Sequence, residues 1–386
     1  MKTNYAFIFI LILSLALMNC GTREPLAVDQ SGPAMFKNTA FELYEDLTSP
    51  KFQALKEKYQ LDTVFKRETD EFKRQLLLRN WIRTVIRISD FEPRYPGQGH
   101  AENILDEALK GQGYHCGHYM IVQNAVMNAY GYVTRCLGAG PGVKGGPDGH
   151  HGINEIWSNK FGKWYLSDAK YNHHFEKNDI PLSAIEIREE FLKNKVADVV
   201  LVKGPERTPI ASDRLADKTG AMREVTKERF AQTYTWIEWE KFNDRYMNWP
   251  DARAKSSVLN MYADDYFQRN TWIWDGKPHW AYSKPEHMVR LSDRNAIEWT
   301  PNTIASEVKT QENAAYIELE SETPNLKTYQ MKRTLDGAWQ DVGASVEVEV
   351  NGEREELIFR TLNLAGVAGP EHKIVIGTGG KEISRN

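Results

Sequence analysis

Cys116 stands between two histidines in Gly113-Tyr114-His115-Cys116-Gly117-His118-Tyr119, where an apolar-faced helix begins. A free thiol titrates near about 8.5 and is mostly protonated at neutral pH. A neighbouring imidazole and the positive end of a helix both favour the thiolate, which is the nucleophile. Six of the ten histidines fall in one stretch: His115, His118, His150, His151, His173 and His174. With Cys116, Asp148 and Asp168 they are numerous enough for a metal site, but neither CxxC nor HExxH spacing occurs. Cys136 offers a disulfide partner in an oxidising compartment. A small, buried, inert side chain is the plainest alternative. The residue types alone leave four readings of Cys116: nucleophile, metal ligand, half of a disulfide, or packing residue.

The surrounding pattern says what must hold these groups. Residues 36–60 and 65–89 carry apolar side chains at helical spacing. Residues 101–111 predict a third helix, ended by Gly111. The helix opened by Cys116 carries Met120, Val122, Ala125, Val126 and Tyr130, and stops at Gly131. The period then changes. Residues 132–137, 153–157 and 163–168 read as strands, with a glycine-rich loop at 138–149 and a turn at 158–162. Helices are expected around 182–194 and 213–231. An aromatic-rich tract from Tyr234 to Tyr282 reads as core and interdomain packing, with sugar stacking as the other use of exposed rings. From about 296 short strands dominate, at 315–320, 328–333, 346–350, 357–362 and 373–376. Asn351-Gly352 is a hairpin signal. These strands predict a C-terminal β-sandwich.

Three segments in order resemble the transglutaminase-like superfamily, whose core is a permuted relative of papain-like proteases. The first is the helix-borne Cys116. The second is His151-Gly152-Ile153-Asn154-Glu155-Ile156, similar to the family's strand of the form His-x-x-Asn-Glu-hydrophobic. The third is Gly162-Lys163-Trp164 followed by Asp168. Gly131 to Arg135 also resembles the family's helix-to-strand segment, so the likeness spans roughly residues 70–175. Ile153 stands where a Trp is common in the family. The resemblance implies a Cys116, His151, Asp168 triad. His151 would take the thiol proton and return it to a leaving amine, and Asp168 would hold the imidazole in the right tautomer. It also implies a substrate cleft, for which His115, His118, Gln112 and Trp157 are the candidates. Gln112 is also a candidate, by type, for the side-chain oxyanion donor.

The first residues read as an export signal. Lys2 precedes an apolar run at 6–18, too short to span a bilayer comfortably, and Cys20 follows it. This resembles a bacterial lipoprotein leader, with Cys20 lipidated. Residues 21–34 read as a polar tether. With 386 residues, 41% hydrophobic and 26% charged, the chain is of ordinary globular composition and long enough for more than one core. A formal charge of -4 gives no bulk basic field for nucleic acid.

The expectation is therefore an α+β protein. A signal occupies 1–20, a papain-like cysteine domain 35–200, a helical and aromatic-rich connecting region 201–290, and a β-sandwich 291–386. The expected activity is cysteine hydrolysis of an amide or peptide bond through a thioester, without a cofactor. The partners would be a protein or peptide substrate, a cell-surface glycan, and the membrane through the lipid anchor. The other reading is a non-catalytic surface lipoprotein that binds glycan or protein and carries a degenerate cysteine site.

Overall fold

The computed structural model describes residues 26–89, 99–141, 149–216, 221–247, 259–263, 273–274, 277–278, 288–311, 313–350 and 354–378. The expected leader, Cys20 and the Asn351-Gly352 turn lie outside the described residues. So do most of the glycine-rich loop and much of the aromatic tract.

Four helices precede the central sheet: α1 (Pro50–Lys58), α2 (Glu71–Val85), α3 (Ala101–Leu109) and α4 (Cys116–Ala129). The first begins much later than the apolar spacing over 36–60 suggested. Ser49 caps it and Pro50 occupies the first turn, where a missing N–H costs nothing. Residues 42–44 form a strand paired with Phe242–Asn243 instead. The helix α4 is apolar on nearly all sides and is buried from His118 to Met127. A helix of that kind belongs inside a fold.

The sheet beside α4 has six strands. Their order is Met288–Leu291, Leu259–Tyr262, Trp236–Glu240, Thr134–Gly140, His151–Ser158 and Lys163–Ser167. Both faces are covered. Ile156 and Tyr165 join the core built by α1 to α4, whereas Leu137, Ile153, Trp157, Trp164 and Leu166 join a second core with α5 (Ala184–Asn194). That accounts for a His151–Ser158 strand buried along its whole length. Gly162 makes the turn into the next strand at a φ of 59°, a left-handed conformation that favours glycine.

The expected helix at 213–231 is mostly a hairpin. Ser212–Ala216 pairs antiparallel with Met222–Thr226, and only α6 (Lys227–Gln232) is helical. Thr226 caps that helix by accepting from the Arg229 N–H. In the aromatic tract, Tyr234, Trp236, Trp239 and Tyr246 are buried and pack as core.

The C-terminal strands form two sheets around one apolar core. One contains Leu26–Ser31, His372–Thr378, Arg354–Asn363, Leu326–Lys332 and Gln340–Val342, in that order. The other contains Ala305–Gln311, Ala314–Glu320 and Ser345–Glu349. Ile317, Leu319 and Val348 from the smaller sheet meet Tyr329, Phe359, Ile374 and Ile376 from the larger. Two expectations change here. Residues 26–31 lie within the stretch expected to be a tether, yet they pair in full register with the last strand. The strands flanking Asn351-Gly352 do not pair with each other: Ser345–Glu349 pairs with Ala314–Glu320, and Arg354–Asn363 with its own two neighbours. Among the described residues no helix is long and apolar enough to cross a membrane.

Candidate active site

The N-terminus of α4 meets the first residues of the His151–Ser158 strand. Gly152 permits this approach. A Cβ there would stand 3.3 Å from the Gly117 Cα and 3.5 Å from the Met120 sulfur. Glycine at 152 lets the helix start close on the strand, and the Cys116 thiol comes within hydrogen-bond reach of His151. His115 is the N-cap of α4, and its Nδ1 accepts from the Gly117 N–H at 3.2 Å. Deeper in the helix, Gln123 donates to the Ser167 hydroxyl at 2.8 Å. This buried bond fixes α4 to the strand that leads into Asp168.

His151 Nε2 lies 2.6 Å from Asp168 Oδ2, with both side chains buried. The carboxylate can only accept, so Nε2 carries the proton. Nδ1 is then the nitrogen left for the thiol. Asp168 is itself held from several sides. The Tyr171 N–H donates to Oδ1 at 3.0 Å, the Tyr234 hydroxyl donates to Oδ2 at 3.4 Å, and His173 Nε2 stands 3.6 Å away. The Tyr171 ring stacks on His151 at 5.2 Å between centroids.

The electrostatics follow from this packing. Burial pushes the Cys116 thiol up, but hydrogen bonds with His115, His150 and His151 outweigh it and hold the thiol well below its ordinary value. Burial lowers His151, and the adjacent Asp168 charge overrides that, raising it to about 9. Burial raises Asp168, and the His151 charge and hydrogen bond bring it below the usual carboxylate range. Burial, joined by the Arg79 and His151 charges, outweighs the Asp168 carboxylate at His173, which falls to about 4 and stays neutral. A thiolate facing an imidazolium is the arrangement these shifts favour.

The motif residues around the three groups have structural duties. Glu155 pairs with Arg135 at 2.6 Å, both fully buried, and accepts from the Trp239 indole and the Ala184 N–H at 2.7 Å each. It therefore ties three strands and α5 together. Asn154 donates to the Cys136 sulfur at 3.5 Å. Cys136 and Cys116 are both free, and burial pushes the Cys136 thiol up. Trp164 donates to the Trp299 carbonyl at 2.6 Å and lies under the Arg135 guanidinium.

The expected cleft residues divide. His115 is partly exposed and touches the thiol. His118 is only 5% exposed and packs between Tyr114 and His115, so it backs the site from inside. Trp157 is a core residue against Trp164 and lines no cleft. Its place in the strand turns it into the second core, which alternation along the strand could have signalled. Gln112 donates to the neighbouring Gly113 carbonyl at 3.2 Å, which gives no support to an oxyanion role. Sequence reasoning missed His150 as a thiol partner, and also Tyr171 and Tyr234. The last two are distant in sequence from Cys116 and carry no motif.

No protein-family model matches the chain, and no curated protein matches it. Among solved structures, the crystal structure of red sea bream transglutaminase is similar at 12% identity, over 80% of this chain and 69% of that one, with a TM-score of 0.25. A likeness that low carries no argument about this chain.

Proposed function

We propose that this protein is a transglutaminase-like cysteine hydrolase that cleaves an amide or peptide bond. The observation that carries the reading is the chain of contacts from the partly exposed Cys116 thiol through buried His151 to buried Asp168, with the thiol held low and the imidazole held high. The Cys116 thiolate attacks the carbonyl carbon and forms a C–S bond. His151 gives its proton to the amine nitrogen as the C–N bond breaks, leaving a thioester. His151 then takes a proton from water, whose oxygen attacks the thioester. The C–S bond breaks, and the acid and the thiolate are released. Asp168 keeps His151 oriented and stabilises the imidazolium throughout.

Hydrolysis is favoured over crosslinking because water is the acceptor at hand in a partly exposed site. The reading extends to an exported protein anchored through Cys20, supported by the apolar run at 6–18 that precedes it. It also includes a cysteine domain over 35–200, a connecting region over 201–290 and a β-sandwich over 291–386. The two C-terminal sheets around one core support the last of these. Residues 26–31 would belong to that sandwich as well.

The test is incubation with a mixed peptide pool, with and without a primary amine probe. Expected are new carboxylate ends that are absent with Cys116→Ala. Amine adducts in place of carboxylates would make the protein a transferase. No Cys116-dependent product with any peptide would overturn the reading.

A further inference from the structure

Asp168 opens a turn that is closed by its own backbone and gripped by Arg79 of α2. The Asp168 N–H donates to the His173 carbonyl at 3.1 Å, and the His173 N–H donates to the Asp168 carbonyl at 3.2 Å. Between them Asn172 takes a φ of 56°. The Arg79 side chain is fully buried. Its Nε donates to Asn172 Oδ1 at 3.2 Å, and its Nη1 donates to the His173 carbonyl and to His174 Nδ1 at 3.1 Å each. The His173 carbonyl is thus shared by the Asp168 N–H and the guanidinium. One helical turn earlier, Gln75 donates to the Trp157 carbonyl at 3.0 Å. One face of α2 therefore fastens both the Asp168 turn and the strand that begins with His151.

These are the contacts of a clamp. All three acceptors are neutral: His174 Nδ1 accepts from the guanidinium, and its Nε2 donates to Glu176 at 2.6 Å. Asp168 and Glu176 favour the cation through charge, without a direct bond to it. Packing alone does not need a cation here, because an apolar side chain of similar volume fills such a place at lower cost. The guanidinium adds planar, directional donors that hold several acceptors at once. Two contacts of the candidate site start from the turn it grips. They are the Asp168 carboxylate on His151 and the Tyr171 ring stacked on that imidazole. Burial, and then the Arg79 charge, also oppose protonation of His173. His173 Nε2 stands 3.6 Å from the same Asp168 oxygen that holds His151, so a neutral His173 leaves that carboxylate to His151.

We propose that Arg79 is a positioning residue for the reacting groups: by gripping Asn172 and the His173 carbonyl it fixes the turn that aims Asp168 at His151. Arg79 acts through Asp168 and His151 and not on the thiol itself. The inference rests on the hydrolase reading above and extends its machinery to α2, outside the three segments that carry Cys116, His151 and Asp168.

The experiment titrates Cys116 in the full chain by its rate of alkylation with iodoacetamide across pH, beside a urea unfolding curve for each protein. Arg79→Gln removes the charge and the fork. Asn172→Gly removes the amide that Arg79 grips, and glycine suits the φ of 56°. In both variants the Cys116 midpoint is expected to rise by about one pH unit, which lowers the rate roughly tenfold at a pH below both midpoints. Asn80→Ala is the control. It removes only the bond from Asn172 Nδ2 to Asn80 Oδ1 at 2.8 Å, and the native titration is expected to remain. Where Arg79→Gln does not fold, Asn172→Gly decides against this control. A lower urea midpoint with an unmoved Cys116 titration makes Arg79 a packing residue and overturns the inference, and so does an equal shift in Asn80→Ala. Either result leaves the hydrolase reading standing if the native thiol titrates low. A native Cys116 that titrates as a free thiol overturns both.

Discussion

His151 Nε2 and Asp168 Oδ2 meet at 2.6 Å, both side chains buried. Asp168 follows the last residue of the Lys163–Ser167 strand, and His151 opens the strand beside it. The pairing of Asn154 with Ser167 sets the register between them. The hydrogen bond is thus a product of sheet registry, reached with little loss of side-chain freedom.

Removing the Asp168 charge tests that bond. Asp168→Asn lowers kcat/KM by roughly 10³–10⁴-fold, because the imidazole loses its tautomer and its stabilised cation. The pH profile adds a sign. In the native protein the rate falls on the alkaline side as His151 loses its proton near about 9. With Asn at 168 the main cause of that elevation is gone, so the alkaline limb moves down by more than one pH unit, measured as kcat/KM against pH.

Gly152→Ala tests the close approach of helix to strand. The new methyl falls 3.3 Å from a backbone carbon of α4, which cannot move as a side-chain tip could. The helix start is pushed back and the thiol loses reach to His151. A loss of roughly 10²-fold in kcat/KM is expected with little change in urea midpoint. Wild-type activity in this variant would remove Gly152 from the account.

Glu155→Ala tests the motif's structural share. It leaves Arg135 charged and buried without its carboxylate. A loss of about 3–5 kcal/mol in unfolding free energy is expected from urea titration. A variant as stable as the parent would show that Glu155 does not hold the sheet.

Glu238 gives a pH test of stability. Burial raises it to about 8. A carboxyl raised on folding contributes stability below its unfolded value, near about 4.3, and loses it as pH climbs through the folded one. Glu238→Gln removes that loss. Thermal midpoints of the two proteins are expected to match near pH 4, below the unfolded value, and to separate as pH rises, with the Gln variant the more stable at pH 9.

The legible part of the site was the part written in local order. Cys116 at a helix start, His151 at a strand start and Asp168 just after the next strand are short-range patterns, and the structure brings the three into contact. What sequence reading lost depends on distant partners. Leu26–Ser31 is too weakly patterned to declare itself a strand, and becomes one by pairing with His372–Thr378. Residues 212–226 mix charge with apolar spacing that suits a helix, yet they form a hairpin. Residues 36–49 carry helix-like spacing too, but the Ser49-Pro50 pair starts the helix only there. Tyr171 and Tyr234 belong to the site only because folding packs them against His151 and Asp168.

The most direct test is the rate of Cys116 alkylation by iodoacetamide across pH, with the modified cysteine identified by mass spectrometry. Buried Cys136, whose thiol is pushed up, serves as the unreactive internal reference. The account predicts that Cys116 titrates well below the about 8.5 of a free thiol. It also predicts that His151→Ala moves the titration upward. A native Cys116 that titrates at or above the free-thiol value, unchanged by His151→Ala, would contradict it.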